Sequence, residues 1–306
     1  SEAESYRKDI VASVTRCRDA APRVPMADGS TIPYVPMAPE MLDFYNTDWT
    51  YVSCGPLNLA WAGVVPPDHE LIRQVLAYLE AGRPLGKWLP EQKKFQGWDW
   101  GVRAKADEDY LECTRPRKGR AYLWRHKMCY EPGWIPQSFT FMYRDDIPNM
   151  LEHLYSLTSN GGQYVNLRGP VEQRDGVTWC QPGQASLQWL MRDMLVREEG
   201  DELWLCGSCP RAWLADGKRI RISDLPTHFG KVSFEIRSRV KSGKVSVALD
   251  LRLRSAPRAV RLRLRHPRGL CPALAMADGR PVKSEGEWLL LSSKARSVEV
   301  LYTPGK

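Results

Sequence analysis

The spacing of apolar residues changes once along this chain, near residue 200, and that change decides the class of fold. Before it, apolar residues recur three and four positions apart, as in YRKDIVASVTRCRDA and PDHELIRQVLAYLEAG, which is typical of amphipathic helices. After it, they alternate with polar residues, as in KVSFEIRSRV and KVSVALDLRLR, which is typical of half-buried strands. The sequence therefore predicts a multidomain α+β protein, with a helical domain at 1–200 and an antiparallel β-sandwich at 201–306.

The helical domain contains two kinds of helical segment. Those with a single apolar stripe are expected to form an outer layer, at about 5–20, 68–81, 146–158 and 184–196. Two others are apolar on most faces and poor in Lys, namely WTYVSCGPLNLAWAGVV and GWIPQSFTFMY, at about 49–64 and 134–144. Because helices of that kind must be shielded on all sides, we expect both to lie inside the helical array.

A long stretch from Arg83 to Arg125 fits neither pattern. It is too long for an ordinary connection between helices, and it is rich in aromatic residues, which disordered segments lack. We therefore expect a folded insertion at 83–125 that covers one end of the helical domain and contains a short hairpin near 110–125.

The net charge of +8 is concentrated in one part of the chain. Residues 211–270 hold sixteen Lys and Arg against four Asp and Glu, whereas the remainder holds 28 against 32. The alternating pattern puts this surplus on the outward side of the strands, at Arg252, Arg254, Arg261, Arg263 and Arg265. A solvated sheet face explains it. Nucleic acid is the poorer interpretation, because the basic residues are not interleaved with exposed aromatic residues and no recognition motif accompanies them.

Several classes of function and site are not supported by the sequence. It contains no G-x-S-x-G, P-loop or dinucleotide-binding fingerprint. It has no run of about 20 apolar residues that would cross a bilayer. No pair of His has the spacing of metal ligands, and the single C-x-x-C, Cys206 to Cys209, has no second pair to complete a zinc site. That motif also precedes a proline and a short turn, not the helix that a thioredoxin-like redox centre requires.

Motifs at the junction between the two domains resemble those of a known family. Residues 198–230 contain E-x-G-D-x-L, P-R-x-W-L, G-K-x-I and P-T-x-F-G in turn, and RLRHPRG follows at 263–269. With the alternating outer and inner helices and the terminal strands, the chain from about Asp48 to Tyr302 is similar to the carboxyl-terminal half of a six-hairpin glycosidase, a member of the (α/α)6 toroid superfamily. The resemblance implies a partial α/α toroid that acts on a carbohydrate; the superfamily includes hydrolases, phosphorylases and lyases.

The chain supplies about three helical hairpins, whereas a closed toroid of this superfamily has six. Half a toroid would expose the sides of its inner helices, and an apolar surface of that size usually meets a partner. The resemblance therefore implies either a missing amino-terminal half before Ser1 or another chain that covers the open side. A secreted or periplasmic location is favoured by the resemblance alone, and the sequence does not otherwise indicate a location.

The resemblance implies that loops entering the inner helices carry the reactive groups. Asp48 precedes the first inner helix, where it either faces the cavity or caps the helix. Glu131 precedes the second, among aromatic neighbours that would raise the pKa of its carboxyl group and suit a general acid. Glu112, or Asp109 beside it, comes from the insertion, where an exposed acidic loop is the competing interpretation. Because glycoside cleavage needs paired carboxyl groups about 5 to 10 Å apart, the predicted catalytic residues are Asp48, Glu112 and Glu131.

The same segments carry groups suited to holding sugar rings. Aromatic faces stack on sugars and polar side chains bond to hydroxyls, and the predicted substrate-binding residues are Trp49, Trp98, Asp99, Trp100, His126, Tyr130 and Trp134. Asp145 and Asp146, in contrast, are expected to cap an outer helix. His228 is expected in a turn at the domain junction.

The sequence thus favours a glycoside hydrolase-like, carbohydrate-active protein that cleaves glycosidic bonds with paired carboxylates and implies no organic cofactor and no metal. The alternative is a non-catalytic glycan-binding or assembly subunit that retains the same scaffold. Two of the named carboxylates in one aromatic-walled pocket would favour catalysis, and carboxylates that lie apart would favour binding.

Overall fold

The protein is described by a computed structural model, which covers residues 1–21, 23–25, 31–36, 56–80, 86–89, 94–97, 136–151, 154 and 181–303. Helices dominate the first part of the chain and two β-sheets dominate the second, so the predicted mixed α+β class is confirmed. The chain divides into two compact units, Ser1–Gln188 and Trp189–Lys306. Within the described residues, no helix is both long and apolar enough to cross a membrane.

The first unit is built from helices and two short hairpins. In chain order its elements are α1 (Glu2–Ala20), β1 (Val24–Pro25), β2 (Thr31–Ile32), α2 (Asn58–Trp61), α3 (Glu70–Glu80), β3 (Gly86–Leu89), β4 (Lys94–Gly97) and α4 (Pro136–Tyr143). Residues 147–151 are also helical, and α5 (Gln181–Leu195) continues into the second unit. The strands β3 and β4 form a hairpin inside the predicted insertion, whereas the hairpin expected near 110–125 lies outside the described residues.

The helix α3 shows the single apolar stripe that the sequence predicts. Leu71, Ile72 and Val75 are buried, whereas Arg73 between them is exposed. The helix begins where the Nδ1 atom of His69 accepts a hydrogen bond from the backbone N–H of Leu71 at 3.2 Å, which satisfies one of the amides that a helix leaves unpaired at its start.

The second unit contains eleven strands among the described residues. These are β5 (Val196–Glu199), β6 (Glu202–Leu205), β7 (Arg219–Thr227), β8 (Gly230–Arg239), β9 (Lys244–Leu253), β10 (Ala259–Arg263), β11 (Leu274–Ala277), β12 (Arg280–Pro281), β13 (Ser284–Glu285), β14 (Trp288–Leu291) and β15 (Ser297–Leu301). One sheet has the order β13-β14-β10-β6-β5, and the other has the order β12-β11-β15-β9-β8-β7.

One buried cluster takes side chains from both sheets. The six-stranded sheet supplies residues such as Phe234 and Val247, and the five-stranded sheet supplies residues such as Leu205, Leu262 and Leu289. The strands β8 and β9 each contribute every second residue over most of their length, so the alternation seen in the sequence separates this core from the outer face of their sheet. Burial of a large apolar side chain contributes about 1.5 to 3 kcal/mol, which makes this cluster the main stabilising feature of the unit.

One strand pair departs from the predicted antiparallel arrangement. The strands β6 and β10 run parallel, with Leu203 beside Val260, and every other strand pair in the described residues is antiparallel. Parallel strands need a long crossover connection. Here the chain between them passes through β7, β8 and β9 of the other sheet before it returns.

Candidate functional site

The predicted catalytic and substrate-binding residues fall in segments that the structure does not describe. Asp48, Glu112 and Glu131 lie outside the described residues, and so do Trp49, Trp98, Asp99, Trp100, His126, Tyr130 and Trp134. Their roles therefore stay predictions. The described elements nearest to them along the chain are α2, β4 and α4.

The described parts of the two predicted inner helices pack against each other. The ring of Trp61 on α2 stacks on that of Phe139 on α4, with centroids 5.7 Å apart and 23° between the planes. Phe139 in turn contacts Tyr143 one turn later, at 6.0 Å between centroids.

Burial of α4 extends to residues on every side of the helix. Its consecutive residues Ser138, Phe139, Thr140, Phe141 and Met142 are all at most 5% exposed. Five consecutive residues span more than a full turn at 3.6 residues per turn, so no side of this stretch faces solvent. The prediction of a helix shielded on all sides is confirmed for residues 138–142 of α4. It is wrong for the described part of the other predicted inner helix, at 49–64, where the four-residue α2 has Ala60 as its one buried residue and Ala62 and Gly63 are exposed.

The second unit contains a nearly buried carboxylate surrounded by arginines. Glu287 forms ion pairs with Arg211, with Arg263 at 3.3 Å and with Arg265 at 3.7 Å. Its side chain is only 10% exposed, as are those of Arg263 and Arg265. We call these four residues the ionic cluster. The expectation of a solvated basic face is wrong for Arg263 and Arg265, because Glu287 lies within reach of both in the fold.

Indole rings extend this cluster across the outer face of the five-stranded sheet. The guanidinium of Arg263 lies 5.2 Å from the ring of Trp288, which meets Trp204 edge to face at 5.0 Å between centroids. Arg197 lies 4.6 Å over Trp204 on the far side. Such cation–π contacts stabilise by about 0.5 to 2 kcal/mol each, depending on how far water is excluded.

Glu202 supports the same face from β6. It accepts hydrogen bonds from Arg261 and from the indole N–H of Trp204, each at 2.8 Å, and pairs with Arg258 at 2.6 Å. Burial alone would raise the pKa of this carboxyl group, but the bonds from Arg261 and Trp204 outweigh it, so the pKa lies below its ordinary value. Glu202 therefore stays ionised at neutral pH and acts as an acceptor, not as an acid.

A histidine and a tyrosine border the ionic cluster. His266 accepts at Nδ1 from the backbone N–H of Arg268 at 3.1 Å, and its ring lies 4.7 Å from that of Tyr302. Burial, followed by the positive charges of Arg268 and Arg211, lowers the pKa of His266. Burial likewise raises the pKa of Tyr302. Both groups are therefore neutral near pH 7. The arginines of the ionic cluster balance the charge of Glu287. These residues together stabilise the fold, and they carry no acid–base pair.

The motifs behind the family resemblance meet at this place. Arg211, from P-R-x-W-L, donates to the backbone carbonyl of His266 at 2.9 Å, and His266 belongs to RLRHPRG. Arg263 and Arg265, from the same motif, donate to the carbonyls of Gly207 and Cys209 at 3.0 and 3.2 Å. These motif residues hold loops of the second unit together, so the signal they carry is architectural.

The C-x-x-C pair is buried and reduced. Cys209 donates its thiol hydrogen to the carbonyl of Met194 at 3.3 Å. A hydrogen bond with Cys209 and burial both raise the pKa of the Cys206 thiol. Because the thiolate is the reactive form of cysteine, these features disfavour a redox centre. Among the described residues, no group of three or more His, Cys, Asp or Glu is placed to hold a metal ion.

Two further predictions can be placed. Asp146 caps the helix at 147–151, because its Oδ1 atom accepts from the backbone N–H of Asn149 at 3.3 Å, whereas Asp145 lies in the preceding turn with a φ of 60°. His228 lies in the turn between β7 and β8, as expected. Its Nδ1 atom is 2.6 Å from Glu198, which Arg192 also contacts at 2.7 Å. No sequence pattern indicated this group of contacting residues.

Comparison with known proteins does not identify a family for this chain. No protein-family model matches the chain, and a search of curated proteins finds no similar sequence.

Proposed function

We propose that this protein is a glycoside hydrolase-like, carbohydrate-active protein with a partial α/α toroid and a carboxyl-terminal β-sandwich. The observation that carries the proposal is the contact between the two predicted inner helices, in which Trp61 stacks on Phe139 and α4 is buried on all sides. The resemblance to six-hairpin glycosidases implies outer helices with one apolar stripe around buried inner helices, and the stripe of α3 and the burial of α4 are consistent with it.

Chain connectivity supports the same location for the reactive groups. Glu131 lies five positions before the start of α4, which is at most about 18 Å of extended chain. Trp98 directly follows β4 along the chain, so the segment with Trp98, Asp99 and Trp100 continues from the hairpin of β3 and β4. The proposal therefore assigns the sugar-binding cleft to the end of the inner helices at which these segments enter.

In the proposed reaction, Glu131 protonates the leaving oxygen and Asp48 or Glu112 acts as the base or nucleophile. Two carboxyl groups about 5 to 5.5 Å apart retain the configuration at the cleaved carbon, whereas about 6.5 to 9.5 Å leaves room for a water and inverts it. Trp49, Trp100 and Tyr130 offer ring faces to the sugar, and His126 and Asp99 bond its hydroxyls.

The test is a panel of glycans assayed both for release of sugars and for thermal stabilisation of the protein. With a responsive glycan, Glu131→Gln should lower kcat by about 10² to 10⁴-fold while the dissociation constant stays nearly unchanged, because the amide keeps the shape of the side chain and loses the proton. Glu299→Gln is the matched control, since Glu299 is exposed on the six-stranded sheet. Unchanged turnover in the Glu131 variant would remove Glu131 from the catalytic set.

The same panel distinguishes catalysis from binding alone. A glycan that stabilises the protein and is never cleaved, in the natural sequence or in the variants of Asp48 and Glu112, would establish a glycan-binding or assembly subunit and exclude the hydrolase.

A further inference from the structure

Two neighbouring rows on the outer face of the six-stranded sheet place cations directly opposite cations. The register sets Arg219 on β7 against Arg237 on β8, and Arg239 on β8 against Lys244 on β9. All four side chains are exposed, and Arg237 and Arg239 share a face because they are two residues apart in a strand. Opposed side chains in an antiparallel pair have Cβ atoms about 4.5 to 5.5 Å apart. We call these four residues the cationic rows.

Little negative charge balances the cationic rows. Glu235 pairs with Arg237, and that bond, helped by the charges of Arg219 and Arg221, lowers the pKa of the Glu235 carboxyl group. Within the described residues, no ion pair reaches Arg219, Arg239 or Lys244. The charges on this part of the sheet are therefore available to a ligand.

Fold stability does not account for these residues. Like charges directly opposite each other in a sheet are destabilising. Charge on β7 has a separate use, because β7 is an edge strand and charged edges resist pairing with other chains. That use does not extend to Arg239 and Lys244, since β8 and β9 are interior strands.

Small side chains lie next to the cationic rows. Ser246 lies beside Arg237, and Ala248 lies beside Glu235, so the central strand β9 presents small side chains next to the charged ones. The outward positions of β7, β8 and β9 contain no aromatic residue. These three strands thus present a positively charged surface without aromatic side chains on which bases could stack.

We infer that the cationic rows bind an acidic polysaccharide through its carboxylate or sulfate groups. This inference rests on the proposed function for its choice of a carbohydrate. Guanidinium groups bind such planar or tetrahedral anions with paired hydrogen bonds. A single-stranded nucleic acid is the weaker fit, because its binding sites combine positive charge with aromatic residues on which bases stack.

The test measures retardation of the whole chain in native gels that contain alginate, dextran sulfate or neutral dextran. The protein should be retarded by the two acidic polymers and not by dextran, and the retardation should weaken as salt is added. The variant Arg219→Gln, Arg239→Gln, Lys244→Gln should bind the acidic polymers about tenfold more weakly, which corresponds to three exposed ion pairs of ordinary strength. Its melting temperature should not fall, because two like-charge contacts are relieved.

A matched control removes the same charge elsewhere. Arg268→Gln, Lys283→Gln, Lys294→Gln changes exposed residues of the second unit that lie outside β7, β8 and β9, and it should keep the affinity of the natural sequence. Equal loss in both variants, or no loss in the first, would overturn the inference. Tighter binding of single-stranded DNA than of alginate at the same ionic strength would overturn the choice of a glycan.

Failure of this inference and failure of the proposed function give different results. If a neutral glycan is cleaved through Glu131 and no acidic polymer is bound, the inference falls and the proposed function stands. If acidic polymers bind through the cationic rows and no glycan is ever cleaved, the proposed hydrolysis falls and the inference stands.

Discussion

The outer faces of the two sheets use arginine in opposite ways. On the five-stranded sheet, Arg261 and Arg263 are largely buried against Glu202, Glu287 and Trp288. On the six-stranded sheet, the cationic rows are exposed and face one another. Polar and apolar residues alternate in the same way in both sheets. The two faces therefore differ in the acidic or aromatic residues that the fold places beside each arginine. Arginine stabilises the first face, whereas on the second Arg219 and Arg239 have no ion pair among the described residues and Arg237 pairs with Glu235.

The largest effect is expected from the carboxylate of the ionic cluster. Glu287→Gln keeps the shape of the side chain but leaves Arg211, Arg263 and Arg265 without their shared negative charge. Breaking a nearly buried ion pair from one side costs about 3 kcal/mol of the free energy of unfolding. Urea denaturation measures it. Glu299→Gln on the other sheet should stay within about 0.5 kcal/mol of the natural sequence, and equal losses in both variants would erase the contrast between the faces.

A smaller loss is expected from Trp204, the indole between Arg197 and Trp288. Trp204→Leu removes the contacts with Arg197 and Trp288 and the hydrogen bond to Glu202. We expect a loss of about 2 kcal/mol in the free energy of unfolding. Leu290→Ala is the control, since Leu290 is exposed on the same face. A loss in the control as large as that in Trp204→Leu would show that area, not the arginine contacts, is what stabilises this face.

The cationic rows should respond in the other direction. Lys244→Glu turns the like-charge pair with Arg239 into an opposite-charge pair, and we expect a gain of about 0.5 kcal/mol in the free energy of unfolding. Lys231→Glu should gain less, because the opposing Arg252 already pairs with Asp224 and Asp250. Denaturation at low and high salt measures both. A destabilised Lys244→Glu variant would contradict the repulsion inferred from the register.

The smallest effect concerns pH. The pKa of His266 is lower in the folded protein than in an unfolded chain, so the unfolded state binds the extra proton more readily. The stability contributed by neutral His266 is therefore present above the ordinary histidine pKa, about 6.5, and is lost as pH falls through it. His266→Gln should flatten the dependence of the free energy of unfolding between pH 7 and 5. An unchanged slope would show that another group carries it.

Sequence reasoning succeeded where one period dominated a whole element. The strands β8 and β9 alternate without interruption, and the buried α4 is apolar on most faces, so both were predictable. The full length of the edge strand β7 was not predictable from alternation, because a bulge between Ile222 and Leu225 and a proline at 226 interrupt it.

Contacts between residues far apart along the chain could not be predicted from the sequence, for a physical reason. Glu287 lies 76 residues from Arg211 along the chain, and β6 meets β10 in parallel only after a crossover through the other sheet. Neither the ion pair nor the strand pairing produces a local pattern in the sequence. The predicted acids of the site, Asp48, Glu112 and Glu131, stay predictions, since they lie outside the described residues.

The position of β15 sets an order for folding. It lies between β9 and β11, so the six-stranded sheet has a gap until residues 297–301 arrive, whereas β7, β8 and β9 are joined by consecutive short turns. During synthesis, which proceeds from the amino end, the meander of those three strands can form at once. The unpaired edge of β9 must then wait for β15, and during this interval that edge can pair with other chains and promote aggregation.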